Sequence, residues 1–163
     1  MPTITLKIYI MKDLDWSNLG FGYRRTDYNV RCYYRDGKWG EIEVCSDEYL
    51  NLHMAATCLH YGQEAFEGLK AFRCPDGKVR VFRMDENAAR LQSTCRGILM
   101  PEVSTELFEE MVTKVVRLNQ EYIPTYESGA SLYIRPLLIG TSAQVGVHPA
   151  SEYVFIIFVT PVG

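Results

Sequence analysis

No apolar run in this sequence is long enough to cross a membrane. The longest, VFIIFV at 154–159, falls far short of the roughly 20 residues that a spanning helix needs. Charge of one sign is not in excess either: 20 acidic residues stand against 17 basic ones, interspersed along the chain, so there is no basic footprint for nucleic acid. Cysteines are few and unpaired in pattern. Cys32, Cys45, Cys58, Cys74 and Cys95 are odd in number and contain no CxxC, which suits reduced thiols better than a disulfide framework or a zinc site. The three histidines, His53, His60 and His148, lack ligand spacing, and no metal is expected. Glycine-rich phosphate loops of either familiar spacing are missing, as is a Ser-His-Asp or Cys-His pattern with local support. The opening stretch MPTITLKIYIMKDLDW is interrupted by Lys7 and followed by no small-residue cleavage site, so we expect no signal peptide and a cytoplasmic protein.

What is present is enough for one globular domain. The 163 residues are 47% hydrophobic, a length and composition that can bury a real core. YNVRCYYRDGKWGEIEV, residues 28–44, reads as a hairpin turning at Asp36-Gly37, and GLKAF with VRVFR as a second one turning at Asp76-Gly77, because both dipeptides tolerate positive φ. MDENAARLQSTCRGI predicts a helix capped by Asp85 and stopping at Gly97. VSTELFEE opens a clearer one: Ser104 caps it, and Leu107, Phe108, Met111, Val115, Leu118 and Tyr122 form its apolar stripe until Pro124. SLYIRPLLIG and EYVFIIFV complete the chain as strands, the second central. The expected fold class is α+β, a mainly antiparallel sheet of five or six strands with packed helices, all in one domain over residues 1–163.

Two stretches carry chemistry. In SLYIRPLLIG, alternation sends Leu132 and Ile134 to one face and Tyr133 with Arg135 to the other, while Pro136, which cannot donate to a ladder, marks an edge strand or a bulge. A guanidinium on such a face needs an anion or water; a structural ion pair is the plain alternative. In LHYGQEAFEGLKAFR, residues 59–73, Tyr61, Phe66 and Glu67 lie between two glycines as a turn or short helix passes into a strand, and Gly68 lets the backbone approach something closely. Read alone, an aromatic corner of the core explains that segment as well.

Taken together, LHYGQEAFEGLKAFR, AARLQSTCRGILMP, SLYIRPLLIGT, VGVHP and FVTPVG resemble the branched-chain amino acid aminotransferases, fold-type IV pyridoxal phosphate enzymes, in order and from about residue 51 onward. The resemblance implies exchange of an amino group between leucine, isoleucine or valine and 2-oxoglutarate, the latter becoming glutamate. It implies that Arg90 holds the cofactor phosphate and that Phe66, Gly68, Tyr133 and Arg135 border the substrate pocket, with Arg135 meeting the distal carboxylate of glutamate or 2-oxoglutarate. Tyr61 and the loop Val145-Gly146-Val147 would reach the neighbouring subunit's site, so a homodimer is implied.

One departure is large. The family's cofactor-carrying lysine sits in a later segment with a GGNY-like run, and none of Lys7, Lys12, Lys38, Lys70, Lys78 and Lys114 stands in that context. The expectation is therefore a small N-terminal domain, without a catalytic residue of its own and inactive alone, serving substrate binding and dimerisation. The alternatives are another fold-type IV enzyme, a D-amino acid aminotransferase or aminodeoxychorismate lyase, and a non-catalytic dimerisation module.

Overall fold

The computed structural model describes residues 3–4 and 11–163; Lys7 lies outside them. The strands are β1 (Thr3–Ile4), β2 (Asn29–Arg35), β3 (Lys38–Trp39), β4 (Glu43–Cys45), β5 (Glu64–Phe66), β6 (Leu69–Arg73), β7 (Val79–Val81), β8 (Ser131–Gly140) and β9 (Tyr153–Val162). The helices are α1 (Thr57–Tyr61), α2 (Met84–Gly97) and α3 (Thr105–Leu118). All strand pairs are antiparallel and join one sheet in the order β1-β7-β6-β8-β9-β2-β3, with β4 on β2 and β5 on β8. Against the expected five or six strands the described residues form nine, because β1 and β5 are pieces of two and three residues with no periodicity of their own and the second arm of the first hairpin is split into β3 and β4.

Both Asp-Gly turns form as the sequence predicts. Asp36 and Gly37 adopt φ of 52° and 76°, and Gly77 one of 74°, the left-handed geometry that closes a two-residue hairpin at the first site. Ser104 caps α3 by accepting the Leu107 amide at 3.2 Å. Asp85 does not cap α2: the cap position is Arg83, itself left-handed, and Asp85 sits in the first turn, where its charge complements the helix dipole. Gly97 is still helical, and the chain reverses at Leu99, φ 57°, with the Met100 amide donating to the Cys95 carbonyl. Helix α3 ends at Leu118, six residues ahead of Pro124, and Tyr122 is buried from a separate turn.

The sheet has two unlike faces. On one, Leu132, Ile134, Leu138, Phe155, Ile157 and Val159 pack under α2 and α3 with Leu91, Phe108, Met111 and Val115 in the main core, and the Phe108 and Phe155 rings stack with centroids 6.0 Å apart. The opposite face carries Tyr133, Arg135 and Leu137 together with their ladder partners Thr160, Phe158 and Ile156. A strap of chain, residues 21–28, crosses that second face. It is clipped to β9 by Arg24, whose amide donates to the Thr160 hydroxyl and whose carbonyl accepts from it, and by Thr26, which donates to the Val159 carbonyl.

β8 is neither an edge nor bulged. It pairs along its whole length with β9 and, on its other side, with β6 and β5 in a single continuous register. The Glu67 amide donates to the Pro136 carbonyl at 2.9 Å, but Pro136 has no N–H to return, so the ladder opens there by one bond. β5 and β6 are therefore one strand interrupted at Glu67-Gly68, opposite Arg135 and Pro136.

Candidate functional site

The interruption gathers most of the residues singled out from sequence. Phe66, Glu67 and Gly68 are consecutive, and each touches a different partner.

Arg135 lies with its guanidinium carbon 4.4 Å from the centre of the Phe66 ring and donates from Nε and Nη2 to the Tyr133 hydroxyl at 3.1 and 3.0 Å. The ring faces supply a cation–π surface. Among the described residues no carboxylate pairs with Arg135, so the structural ion pair is absent and a cation is left on a face of phenyl and phenol rings. Gly68 makes this arrangement possible. A Cβ at that position would stand 2.5 Å from the Tyr133 hydroxyl oxygen, nearer than two such atoms can come. The Phe21 ring of the strap meets Tyr133 edge-on at 5.1 Å, closing the pocket from a segment that carried no motif. The same face continues into a cavity of about 190 Å³ lined by Tyr23, Arg31, Leu137, Ile156 and Phe158, which sequence periodicity could not reveal because strap and sheet meet only in three dimensions. Lys70 is the ladder partner of Tyr133 and shares this face by alternation.

On the other side of the same strand, Glu67 is 4% exposed. Arg90 grips it with Nε on Oε1 at 2.9 Å and Nη2 on Oε2 at 2.6 Å, while Asn87, one turn earlier on α2, donates to Oε2 at 2.8 Å. Three donors on one buried carboxylate meet the cost of desolvating it. The Glu67 hydrogen bond holds the Arg90 pKa above its usual value. Sequence reading noticed Glu67 but gave it no role; a carboxylate in phase with apolar Ala65 and Leu69, on the face they share, was the signal available. The Arg90 side chain remains 68% exposed, and its pairing uses one edge of the guanidinium, so among the described residues Nη1 and one Nη2 proton have no partner. That set of donors fits a phosphate.

Tyr61, at the end of α1, donates its hydroxyl to the Val145 carbonyl. With Val147, Ile98 and Leu99 it borders an open groove of about 360 Å³, and Val145 and Val147 are exposed. The structure thus brings Phe66, Gly68, Tyr133 and Arg135 into one cluster, sets Arg90 across the strand from it, and groups Tyr61 with Val145 and Val147. The histidines make local contacts: His60 Nε2 lies 2.8 Å from the Met54 carbonyl, His53 accepts the Ala55 amide, and His148 Nδ1 lies 3.2 Å from the Gln144 amide nitrogen. No cluster suited to a metal ion occurs among the described residues, and no described helix is long and apolar enough to cross a membrane.

No protein-family model matches the chain. Curated relatives do. A branched-chain-amino-acid aminotransferase of Haemophilus influenzae is 50% identical over 153 residues, which are 94% of this chain and 45% of that protein. One of Helicobacter pylori is 49% identical over the same shares. Among solved structures, a branched-chain amino acid aminotransferase of Escherichia coli superposes with a TM-score of 0.64 at 30% identity, covering 85% of this chain and 40% of that one. The chain spans less than half the length of the relatives it matches. Along nearly its whole length, in sequence and in fold, the chain is similar to the branched-chain-amino-acid aminotransferases.

Proposed function

We propose that this chain forms the substrate-recognising and subunit-pairing part of a pyridoxal phosphate-dependent transaminase, acting in the cytoplasm as a homodimer and exchanging amino groups between leucine, isoleucine or valine and 2-oxoglutarate. The observation that carries it is Arg135, a cation without an ion-pair partner among the described residues, laid between Phe66 and Tyr133. A branched aliphatic chain packs on the rings, and a second carboxylate, when the substrate has one, takes the guanidinium. One pocket thereby serves two substrates of opposite polarity.

Pyridoxal phosphate, when bound, supplies the electron sink that makes the amino acid's Cα proton labile. Arg90 would hold its phosphate, the exposed guanidinium offering the donors described above. The strap residue Phe21 and the ring of Phe66 give the substrate side apolar surface beside Tyr133 and Arg135. Tyr61 and Val147 border an exposed, mainly apolar groove that a second copy would cover, with Val145 exposed beside it. The small-domain organisation over residues 1–163 is part of this proposal, and the cofactor-carrying lysine is assigned to none of the lysines in this chain.

The experiment is transfer of ¹⁵N from labelled leucine to 2-oxoglutarate, with pyridoxal phosphate present, by a complete transaminase that carries this chain; the chain alone, with no cofactor-carrying lysine assigned in it, is expected to give none. Labelled glutamate above the free-cofactor background is the expected product of the complete enzyme. Transfer from D-alanine and not from leucine would contradict the reading.

A further inference from the structure

The pairing of Glu67 with Arg90 is unequal. The carboxylate, expensive to bury, is 4% exposed, whereas the guanidinium that neutralises it is 68% exposed at its side chain. A salt bridge serving stability alone has no need to leave its cation open. Glu67 is also fixed from behind, since its own amide donates to the Pro136 carbonyl, and Asn87 holds the same carboxylate oxygen that Arg90 Nη2 uses. The carboxylate is thus a rigid post, and Arg90, on a long flexible stem, is the part being held.

We propose that Glu67 is a positioning residue that spends the Nε–Nη2 edge of Arg90 and so presents the remaining Nη1 edge, already oriented, to a phosphate monoester. The inference rests on the reading of Arg90 as the cofactor-phosphate residue and goes further by naming what orients it. An unheld arginine would have to lose its rotamer freedom at the moment of binding; one already clamped on one edge binds without that loss. Glu67 touches no substrate or cofactor atom and acts only through Arg90. Because Phe66 and Gly68 flank it, the same three residues tie the phosphate side to the pocket around Arg135.

The test is a mutant cycle read by equilibrium binding of pyridoxal phosphate, with pyridoxal, which lacks the phosphate, as the control probe. Glu67→Gln keeps the shape and removes the charge. It is expected to weaken pyridoxal phosphate about tenfold, in the range seen when the partner of a ligating side chain is lost, and to leave pyridoxal unchanged. Arg90→Ala should weaken it at least as much, and the double variant should bind no more weakly than Arg90→Ala alone. In ¹⁵N-labelled protein the Arg90 Nε–H resonance should be slow to exchange in the wild type and broadened in Glu67→Gln. A loss in Arg90→Ala with none in Glu67→Gln overturns the positioning role and leaves the phosphate reading standing. No loss in Arg90→Ala overturns both. Additive losses in the double variant also overturn it, since Glu67 would then act by another route. If Glu67→Gln does not fold, Asn87→Ala replaces it, and an unchanged affinity there counts against the proposal.

Discussion

The guanidinium of Arg135 rests 4.4 Å above the ring of Phe66, two residues that are 69 positions apart in sequence and meet because β5 and β8 run side by side. Their contact has no anion in it among the described residues. What holds the arginine is the ring face and the Tyr133 hydroxyl, and both depend on a strand that is broken by one missing donor at Pro136.

Gly68 is the tightest point of that arrangement. Gly68→Ala should displace Tyr133, since the new Cβ would sit 2.5 Å from its hydroxyl oxygen, and overpacking of this kind costs on the order of 1–3 kcal/mol. Adding Tyr133→Phe removes the clashing oxygen. Thermal unfolding should therefore show the double variant more stable than Gly68→Ala alone. A double variant no more stable than the single would place the strain elsewhere.

At the β6–β7 hairpin, Asp76 takes a bidentate pair from Arg80 at 2.9 and 2.7 Å and the Lys78 amide at 3.1 Å. The Arg80 hydrogen bonds, with that amide, lower its pKa from 3.8 to about 2. Because the folded value is depressed, this contribution to stability is complete above pH 3.8 and is lost as pH falls toward 2. Carboxyl-carbon NMR should give a midpoint near 2 that returns toward 3.8 in Arg80→Ala. A wild-type midpoint at the ordinary aspartate value would contradict the pairing.

The thiols should separate by burial. Cys95 is pushed up to about 11 and Cys32 is also raised, both chiefly by burial, so neither offers thiolate near neutrality. An aromatic disulfide reagent at pH 8 should react quickly at the partly exposed Cys45 and Cys74 and reach Cys32 and Cys95 only after denaturant is added. Rapid reaction of all five would contradict the core described here.

Some of this fold was readable because local chemistry dictates it. Asp36-Gly37 and Asp76-Gly77 mark turns since few residues accept their dihedrals, and Ser104 marks a helix start since its hydroxyl replaces a missing acceptor. The shared face of Tyr133 and Arg135 followed from alternation alone. Pro136 misled, because its missing N–H argues for an edge, whereas here it faces an interrupted neighbour whose amide still finds the proline carbonyl. Arg83 and Leu99 were equally hidden: nothing in an arginine or a leucine announces positive φ. The Glu67–Arg90 clamp joins a strand to a helix 23 residues later, and the Phe21–Tyr133 contact joins a strap to the centre of the sheet. Such pairings are made by tertiary folding and leave no periodic trace.

The most direct measurement, made in a complete transaminase that carries this chain, is the ratio of kcat/KM for 2-oxoglutarate to that for the keto acid of leucine, with Arg135 intact and as Arg135→Ala. Removing one partner of a charge pair in a partly dry pocket costs on the order of 2–5 kcal/mol, and only 2-oxoglutarate brings the second carboxylate that forms the pair. The account predicts that the ratio falls at least tenfold, carried mainly by 2-oxoglutarate. Equal losses for the two keto acids would contradict it and return Arg135 to a structural role.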